Sequence, residues 1–143
     1  MKIWSKKQVC LLTAVGAGCS FLFRILFAVL GIDGYQQVEQ QLIGEKGILY
    51  LVIELLVISP VLEEWIFRHI LYCGLKKWMP VSAAMILSSL LFAVYHWNNP
   101  QSIYSFFMGM LLAWSLEYYQ TMKAPWLIHL AANVMALFMS FWN

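Results

Sequence analysis

Long apolar segments separated by short polar breaks run along most of this chain. Crossing the hydrocarbon core of a bilayer takes about 20 mostly apolar residues in a helix. Five segments approach that requirement, at about residues 9–30, 47–78, 81–97, 103–119 and 125–142. The pattern predicts an all-α fold, a multi-pass transmembrane helical bundle with about five membrane segments.

The second segment differs from the others because it is too long for one straight crossing. At about 1.5 Å of rise per residue it exceeds a hydrocarbon core of about 30 Å. Ser59-Pro60 lies near its middle, and proline removes a backbone donor and disturbs the preceding turn. We therefore expect this helix to be kinked at Pro60. In the first segment, Ala14 and Gly18 form a small-xxx-small pair that would let another helix dock closely.

The composition agrees with a membrane protein. Of 143 residues, 62% are hydrophobic and 11% are charged, whereas soluble domains carry about 25% charged residues. This length suits a single membrane domain, 1–143, with an N-terminal helix at 9–30 and a core at about 47–142. A net charge of +2 without a basic stripe argues against a nucleic-acid partner and leaves the lipid bilayer as the expected environment.

Basic residues are unevenly distributed among the predicted loops. With the N-terminus inside, Lys46 falls on the outer side, and the inner side holds Lys2, Lys6, Lys7, Lys76, Lys77 and Lys123. Lysine and arginine accumulate in the cytoplasmic loops of membrane proteins. We therefore expect a multi-pass protein of the cell membrane with its N-terminus in the cytoplasm.

Ionisable residues inside apolar helices are costly, at about 2.5–3.5 kcal/mol for a charge at the helix centre on insertion scales. The second segment nevertheless contains Glu63, Glu64 and Arg68. Glu64 and Arg68 are four residues apart, so they share a helix face and can pair. Two carboxylates with one arginine leave one carboxylate free to change its protonation state, as a general base must. The alternative is an ion pair that only holds helices together.

Two histidines and an asparagine in other segments extend this polar set. Glu63 and His96 lie almost symmetrically about the turn before the third segment, about 24 Å from it at 1.5 Å per residue, so they can face each other. His129 and Asn133 are four apart and project together. His129 lies only about 10 Å past its own turn, which fits this depth less well. A lone histidine is commonly a packing residue, but the whole set favours an active site.

The motifs EExxxR from Glu63, FxxxH from Phe92 and HxxxN from His129 occur in this order on three apolar segments. Together they resemble the CPBP (Abi) family of intramembrane proteases, over about residues 55–133. That family includes type II CAAX prenyl endopeptidases and bacterial proteins tied to bacteriocin processing and self-immunity. The resemblance implies a protease acting on a peptide or membrane-protein substrate.

The resemblance also implies roles for individual residues. Glu63 would activate water with help from His96, and His129 and Asn133 would stabilise the oxyanion. Supporting positions would be Glu64, Arg68 and Phe92. This division suits amide hydrolysis, which needs an activated water and donors aimed at the developing negative charge.

The sequence leaves the metal and the competing functions open. It has no HExxH motif, but Glu63, His96 and His129 would form a His₂Glu ligand set, so zinc stays an alternative to the metal-free mechanism that we favour. A non-catalytic interaction or bacteriocin self-immunity protein with the same scaffold is the main competing function. Intramembrane Glu and His also mark ion pathways, but the paired repeats of a transporter are not visible in the sequence.

Overall fold

The computed structural model describes residues 4–32, 47–97 and 99–141, and all regular structure within them is helical. This confirms the all-α prediction. Lys2 and Lys46 lie outside the described residues, so the charge bias across the membrane stays a prediction. Trp142, the predicted end of the fifth segment, also lies outside them. The helices, in chain order, are α1 (Lys6–Val29), α2 (48–75), α3 (Val81–Tyr95), α4 (Asn99–Tyr119) and α5 (Lys123–Ser140).

Helix α1 begins three residues before the predicted start because of a capping box. The Ser5 side chain accepts a hydrogen bond from the Gln8 backbone N–H at 3.2 Å, and the Gln8 side chain accepts one from the Ser5 N–H at 3.0 Å. These bonds satisfy backbone donors that the first helical turn leaves free. Helix α4 likewise begins at Asn99 rather than near residue 103, because Pro100 suits a first turn.

Helix α2 is continuous from residue 48 to 75 but changes its hydrogen bonding along the way. Two stretches, Glu54–Ile58 and Glu64–Tyr72, are π-helical, and Ser59–Glu63 between them is α-helical. Pro60 lies in the first turn of this α-helical stretch. The long second helix is thus as expected, and its hydrogen bonding changes from π to α geometry at Ser59, whereas the kink at Pro60 stays a prediction. Such π segments frequently occur at functional sites.

Only α1, within the described parts of the chain, has both the length and the hydropathy of a membrane span. Helix α3 is apolar but shorter, at 15 residues. Polar and ionisable side chains interrupt the apolar sequence of the other helices, which lowers their hydropathy. The multi-pass arrangement therefore stays a prediction from the sequence pattern.

Helix α4 lies at the centre of the packing. One buried cluster joins it to α1 and α5 through Leu12, Met108, Leu112, Ala124, Ile128 and Ala132. A second cluster joins it to α2 and α3 through Tyr72, Ala84, Ala113 and Leu116. Large apolar side chains also cover the outside, as with Leu22, which is 66% exposed. Extensive apolar exposure of this kind suits a lipid environment rather than water.

The close approach of α1 to α5 occurs at Gly16. A Cβ atom at Gly16 would lie 2.1 Å from the carbonyl oxygen of Ile128, whereas a Cβ at Gly18 would meet nothing within 4 Å. The predicted docking pair of Ala14 and Gly18 does not make this contact, since the face of α1 that meets α5 is centred on Gly16. The small residue still acts as membrane helix packing requires, by letting two backbones come close.

A polar cluster joins the ends of α2 and α4. The Tyr72 hydroxyl donates to a Glu117 carboxylate oxygen at 2.8 Å, and Lys76 pairs with the same oxygen. From its place near a helix end, the sequence suggests only that Glu117 reaches water. Its side chain is 30% exposed, and its carboxylate also holds two helices together. The cluster involves no residue of the site described below.

Candidate active site

Four ionisable side chains that are distant in sequence meet in one cluster. Glu63 and Glu64 lie on α2, and His129 lies in the second turn of α5. His96 is the residue that caps the C-terminus of α3. The Nε2 atom of His129 lies 3.5 Å from Oε2 of Glu63, and Nε2 of His96 lies 4.0 Å from the same oxygen. One carboxylate oxygen therefore faces two imidazole nitrogens.

The main chain of α3 orients the ring of His96. Its Nδ1 lies 2.9 Å from the carbonyl oxygen of Phe92, one turn earlier, and since a carbonyl can only accept, Nδ1 is the donor. In the neutral ring the lone pair is then on Nε2, the atom that faces Glu63. The helix ends here, because Trp97 adopts a left-handed backbone with φ of 57°. His96 is thus held at a helix end with an acceptor directed at Glu63.

A side chain from another helix orients the ring of His129. Its Nδ1 lies 2.8 Å from Oε1 of Glu64, a residue that is 2% exposed. An ionised carboxylate only accepts, so Nδ1 donates and Nε2 is left to face Glu63. His129 therefore bridges two adjacent carboxylates of α2 through its two ring nitrogens.

Arg68 supplies a positive charge at the back of the cluster. Its side chain is fully buried, and its Nε lies 3.4 Å from Oε2 of Glu64, the pairing that their spacing predicts. The guanidinium carbon lies 4.5 Å from the centre of the Phe92 ring, within the range of a cation–π contact. The Phe92 ring centre is also 4.6 Å from that of His96. Phe92 thus contacts both the buried cation and a histidine of the cluster.

Exposure ranks the side chains of the cluster from its back to its open edge. Arg68 and Glu64 are 0% and 2% exposed and His129 is 7% exposed, whereas Glu63 is 12% and His96 14% exposed. The edge between Glu63 and His96 is therefore the most accessible part of the cluster. The Glu64–Arg68 pair lies behind it, shielded from the surroundings.

Asn133 lies one turn beyond His129 on α5, but its described contact is with the main chain of α2. Its Nδ2 donates to the carbonyl oxygen of Leu55 at 2.8 Å. The structure thus brings Asn133 to the same pair of helices as His129 and the two glutamates. Its contribution to oxyanion binding stays a prediction from the family resemblance.

Glu63, His96 and His129 are also the zinc ligands that the sequence suggests. Ligands about 2.0–2.2 Å from a tetrahedral zinc lie roughly 3.4 Å from one another. The distance from His129 to Glu63 matches this spacing, and the 4.0 Å from His96 to Glu63 exceeds it. No group of three or more His, Cys, Asp or Glu side chains among the described residues is arranged to hold a metal ion. The side chains do not fit a preformed zinc site, so no step below is assigned to a metal.

Sequence reasoning identified the residues of the cluster but missed two of its contacts. The link between Glu64 and His129 joins helices 65 positions apart, and no local pattern indicates it. The link between Asn133 and the Leu55 carbonyl had one available signal, which is Pro60. A proline inside a helix frees an upstream carbonyl, and such a carbonyl needs another donor.

One comparison with known proteins found a match. A family model described as type II CAAX prenyl endopeptidase Rce1-like matches residues 45–135, which is well over half of the chain. The matched region contains every residue of the cluster. Comparisons with curated proteins and with solved structures gave no significant match.

Proposed function

Since this chain belongs to the type II CAAX prenyl endopeptidase Rce1-like family, we propose that it hydrolyses a peptide bond in a membrane-associated or small peptide substrate. Membership of this family implies an intramembrane protease. The observation that carries the mechanism is the approach of two imidazole Nε2 atoms to one Glu63 oxygen, at the most accessible edge of the cluster.

In the first step, Glu63 acts as the base. A water molecule between Glu63 Oε2 and His96 Nε2, which are 4.0 Å apart, can hydrogen-bond to both atoms. The Glu63 carboxylate takes one proton from this water, and the oxygen forms a bond to the carbonyl carbon of the substrate. The neutral His96 accepts the second hydrogen bond and orients the water for attack.

In the second step, the carbonyl oxygen becomes an oxyanion and needs a donor. His129 faces this region with Nε2, because its Nδ1–H is engaged by Glu64. With Nδ1–H engaged, His129 can donate from Nε2 only as the imidazolium. The positive charge of this imidazolium would balance one of the two glutamates, because Arg68 balances only the other. Preorganised donors of this kind commonly contribute 10²–10³-fold or about 2.7–4 kcal/mol to the rate.

In the last step, the carbon–nitrogen bond breaks and the amine leaves with a proton returned by Glu63. The products are a carboxylic acid and an amine, and Glu63 ends as the carboxylate with which it began. Glu64 and Arg68 take no part in proton transfer here. Glu64 holds His129 in orientation, and Arg68 pairs with Glu64. These two side chains are the most buried members of the cluster.

The proposal can be tested on the purified chain reconstituted in liposomes with a panel of fluorescence-quenched peptides. Cleavage sites are identified by mass spectrometry of the products. Replacing the base, Glu63→Gln, should lower the cleavage rate by about 10²–10⁴-fold, the usual contribution of general acid–base catalysis. His96→Asn should also lower it, while thermal unfolding shows that both variants keep their fold.

The matched control is His69→Asn, because His69 is an exposed histidine on the same helix as Glu63. This control should cleave at the wild-type rate. Full activity in Glu63→Gln would refute the mechanism. A folded wild-type protein that cleaves no peptide, but binds a peptide or partner equally well with or without Glu63, would support the non-catalytic interaction or self-immunity function.

A further inference from the structure

A groove with a volume of about 660 Å³ lies between α2 and α5. Its walls include Val61 and Trp65 of α2 and Lys123 and Trp126 of α5, and the buried Glu64 forms part of its floor. The volume falls within the range of about 300–1,000 Å³ that small-ligand sites occupy. The groove does not include the accessible catalytic edge described above, so its shape needs an explanation other than peptide hydrolysis.

Helices α2 and α5 run in opposite directions along this groove. His129 bonds to Glu64, whereas Asn133, four residues later on α5, bonds to Leu55, nine residues earlier on α2. The start of α5 therefore lies beside the later residues of α2, toward the end of the bundle where α2 is followed by α3 and α4 by α5. One end of the groove thus lies near the turns between helices, and the other lies deeper in the bundle.

The lysines of the described residues gather at that same end of the bundle. Lys76, in the turn after α2, pairs with Glu117 near the end of α4, and Lys77 follows it in the turn. The lysines at the start of α1 reach this end too, because the Trp4 ring lies 5.7 Å from the ring of Tyr119. Helix α5 itself begins with a lysine. Lysines near a membrane surface attract anionic lipid headgroups, at about 1 kcal/mol each.

The lining of the groove changes from charged to apolar along its length. Lys123 stands at the outer end, Trp126 follows three residues later on α5, and Val61 of α2 lies at the deeper end. About nine residues separate the levels of Lys123 and Val61, which is about 13 Å at 1.5 Å per residue. This length is close to the hydrocarbon depth of one leaflet, about 15 Å. Trp65 and Trp126 are 56% and 36% exposed, and tryptophan is enriched where lipid chains meet headgroups.

We infer that this groove binds one anionic phospholipid, with its phosphate beside Lys123 and an acyl chain between Trp65 and Trp126. The charged end of the groove suits the headgroup, and its apolar depth suits the chain. The bound chain covers Glu64 from the side of the groove, away from the catalytic edge. A ligand that binds only the folded protein also stabilises it, so the phospholipid raises the unfolding temperature. This inference goes beyond the proposed function, since it requires no peptide cleavage.

The test uses the purified full chain in detergent micelles with a trace of phosphatidylglycerol whose acyl chain carries a photoactivatable diazirine. After illumination, mass spectrometry should find the label on peptides that contain Trp65 and Trp126. Unlabelled phosphatidylglycerol should displace this label, and phosphatidylcholine at the same concentration should displace it much less. Label near Leu22, an exposed residue of α1 outside the groove, should resist both lipids, because unspecific contact with micellar lipid does not saturate.

Two pairs of variants separate the headgroup from the chain, with phosphatidylglycerol affinity measured by native mass spectrometry. Lys123→Gln should weaken binding about fivefold, which corresponds to about 1 kcal/mol for one lysine near an anionic lipid. Lys77→Gln should not, because Lys77 is an exposed lysine at the same end but outside the groove. Val61→Trp should fill the place of the chain and weaken binding at least about fivefold as well, whereas Leu22→Trp should leave it unchanged. Val61 and Leu22 are both exposed, so the fold tolerates the larger side chains.

Each other outcome overturns the inference in a recognisable way. Label that is displaced equally in the groove and on α1 shows ordinary surrounding lipid only. Equal displacement by phosphatidylcholine shows that the headgroup charge is not recognised. Displacement by a peptide that the protein cleaves assigns the groove to the substrate, and protection in cross-linked dimers assigns it to a second copy of the chain. Since none of the lipid measurements depends on cleavage, a protein that hydrolyses no peptide refutes the proposed function and leaves this inference to be decided separately.

Discussion

The contact between α1 and α5 gives the sharpest prediction, because a single methyl group tests it. Gly16 of α1 meets the backbone of Ile128, the residue directly before His129. In Gly16→Ala the new Cβ would lie 2.1 Å from the Ile128 oxygen and 2.9 Å from its carbonyl carbon. Both atoms belong to the main chain, so no side-chain rotation can relieve the overlap. One of the two helices has to move.

The size of the effect follows from these distances. Ordinary van der Waals contact begins at 3.4 Å, so the helices must separate by more than 1 Å. If α5 moves by that amount, the 2.8 Å bond from His129 to Glu64 is lost. Overpacking typically costs about 1–3 kcal/mol, and displacing a catalytic group by about 1 Å costs on the order of 10² in rate. We therefore expect a lower unfolding free energy and a cleavage rate reduced about 100-fold.

The assay compares thermal unfolding and peptide cleavage for Gly16→Ala and Gly18→Ala. Gly18 lies on the same helix two residues later, and a Cβ there meets nothing within 4 Å. Replacing a helical glycine with alanine stabilises by about 0.5–1 kcal/mol when nothing is disturbed. Gly18→Ala should therefore unfold at or above the wild-type temperature and cleave normally, which isolates the clash at Gly16 from the change in helix propensity.

Two results would contradict this reasoning in different ways. If both variants behave alike in stability and rate, α1 does not pack on α5 at Gly16. If Gly16→Ala is destabilised but cleaves at the wild-type rate, α1 has moved and α5 has not. In that case α1 contributes to stability without positioning His129.

Three further predictions concern the remaining contacts. Glu64→Gln should lower the unfolding free energy by about 3–5 kcal/mol, measured by denaturant titration, because it leaves the buried charge of Arg68 without its partner; wild-type stability would disprove that pairing. Tyr72→Phe should lower the unfolding free energy by about 1.5–3 kcal/mol with no change in cleavage, since it removes a hydrogen bond to the Glu117 carboxylate, and it should cost much less in a Glu117→Ala background, where that hydrogen bond is already lost. Treatment with a zinc chelator should leave the cleavage rate unchanged, and a loss of activity restored by added zinc would show that the metal-free mechanism is wrong.

Much of the helical architecture is visible in the sequence, with errors confined to helix ends. The apolar segments and their proline breaks locate all five helices that the structure describes. The errors arise where local hydrogen bonds, rather than hydropathy, decide the boundary. Ser5 begins α1 early through its capping box, and Pro100 allows α4 to begin at Asn99. Hydropathy carries no information about either effect.

The relative depths of the site residues were only partly predictable. Counting 1.5 Å per residue places Glu63 and His96 at one level, and their side chains do approach to 4.0 Å. The same count places His129 nearer to its own turn than the level of Glu63 and His96. Its ring nevertheless lies 3.5 Å from Glu63, which is closer than the ring of His96. The count assumes α geometry throughout, whereas Glu64–Tyr72 is π-helical. A π helix holds more residues in each turn and advances less per residue, which brings the glutamates toward the level of His129.

The sequence alone indicated which ionisable residues form the cluster, because charged and polar groups inside apolar helices are costly and stand out there. It also determined the pairing of Glu64 with Arg68, which depends only on spacing along one helix. Only the tertiary structure decided that Glu64 orients His129, that Asn133 bonds to the Leu55 carbonyl, and that Gly16 admits α5. Those contacts join separate helices, and they depend on the rotation and rise of each helix, which local sequence patterns do not specify.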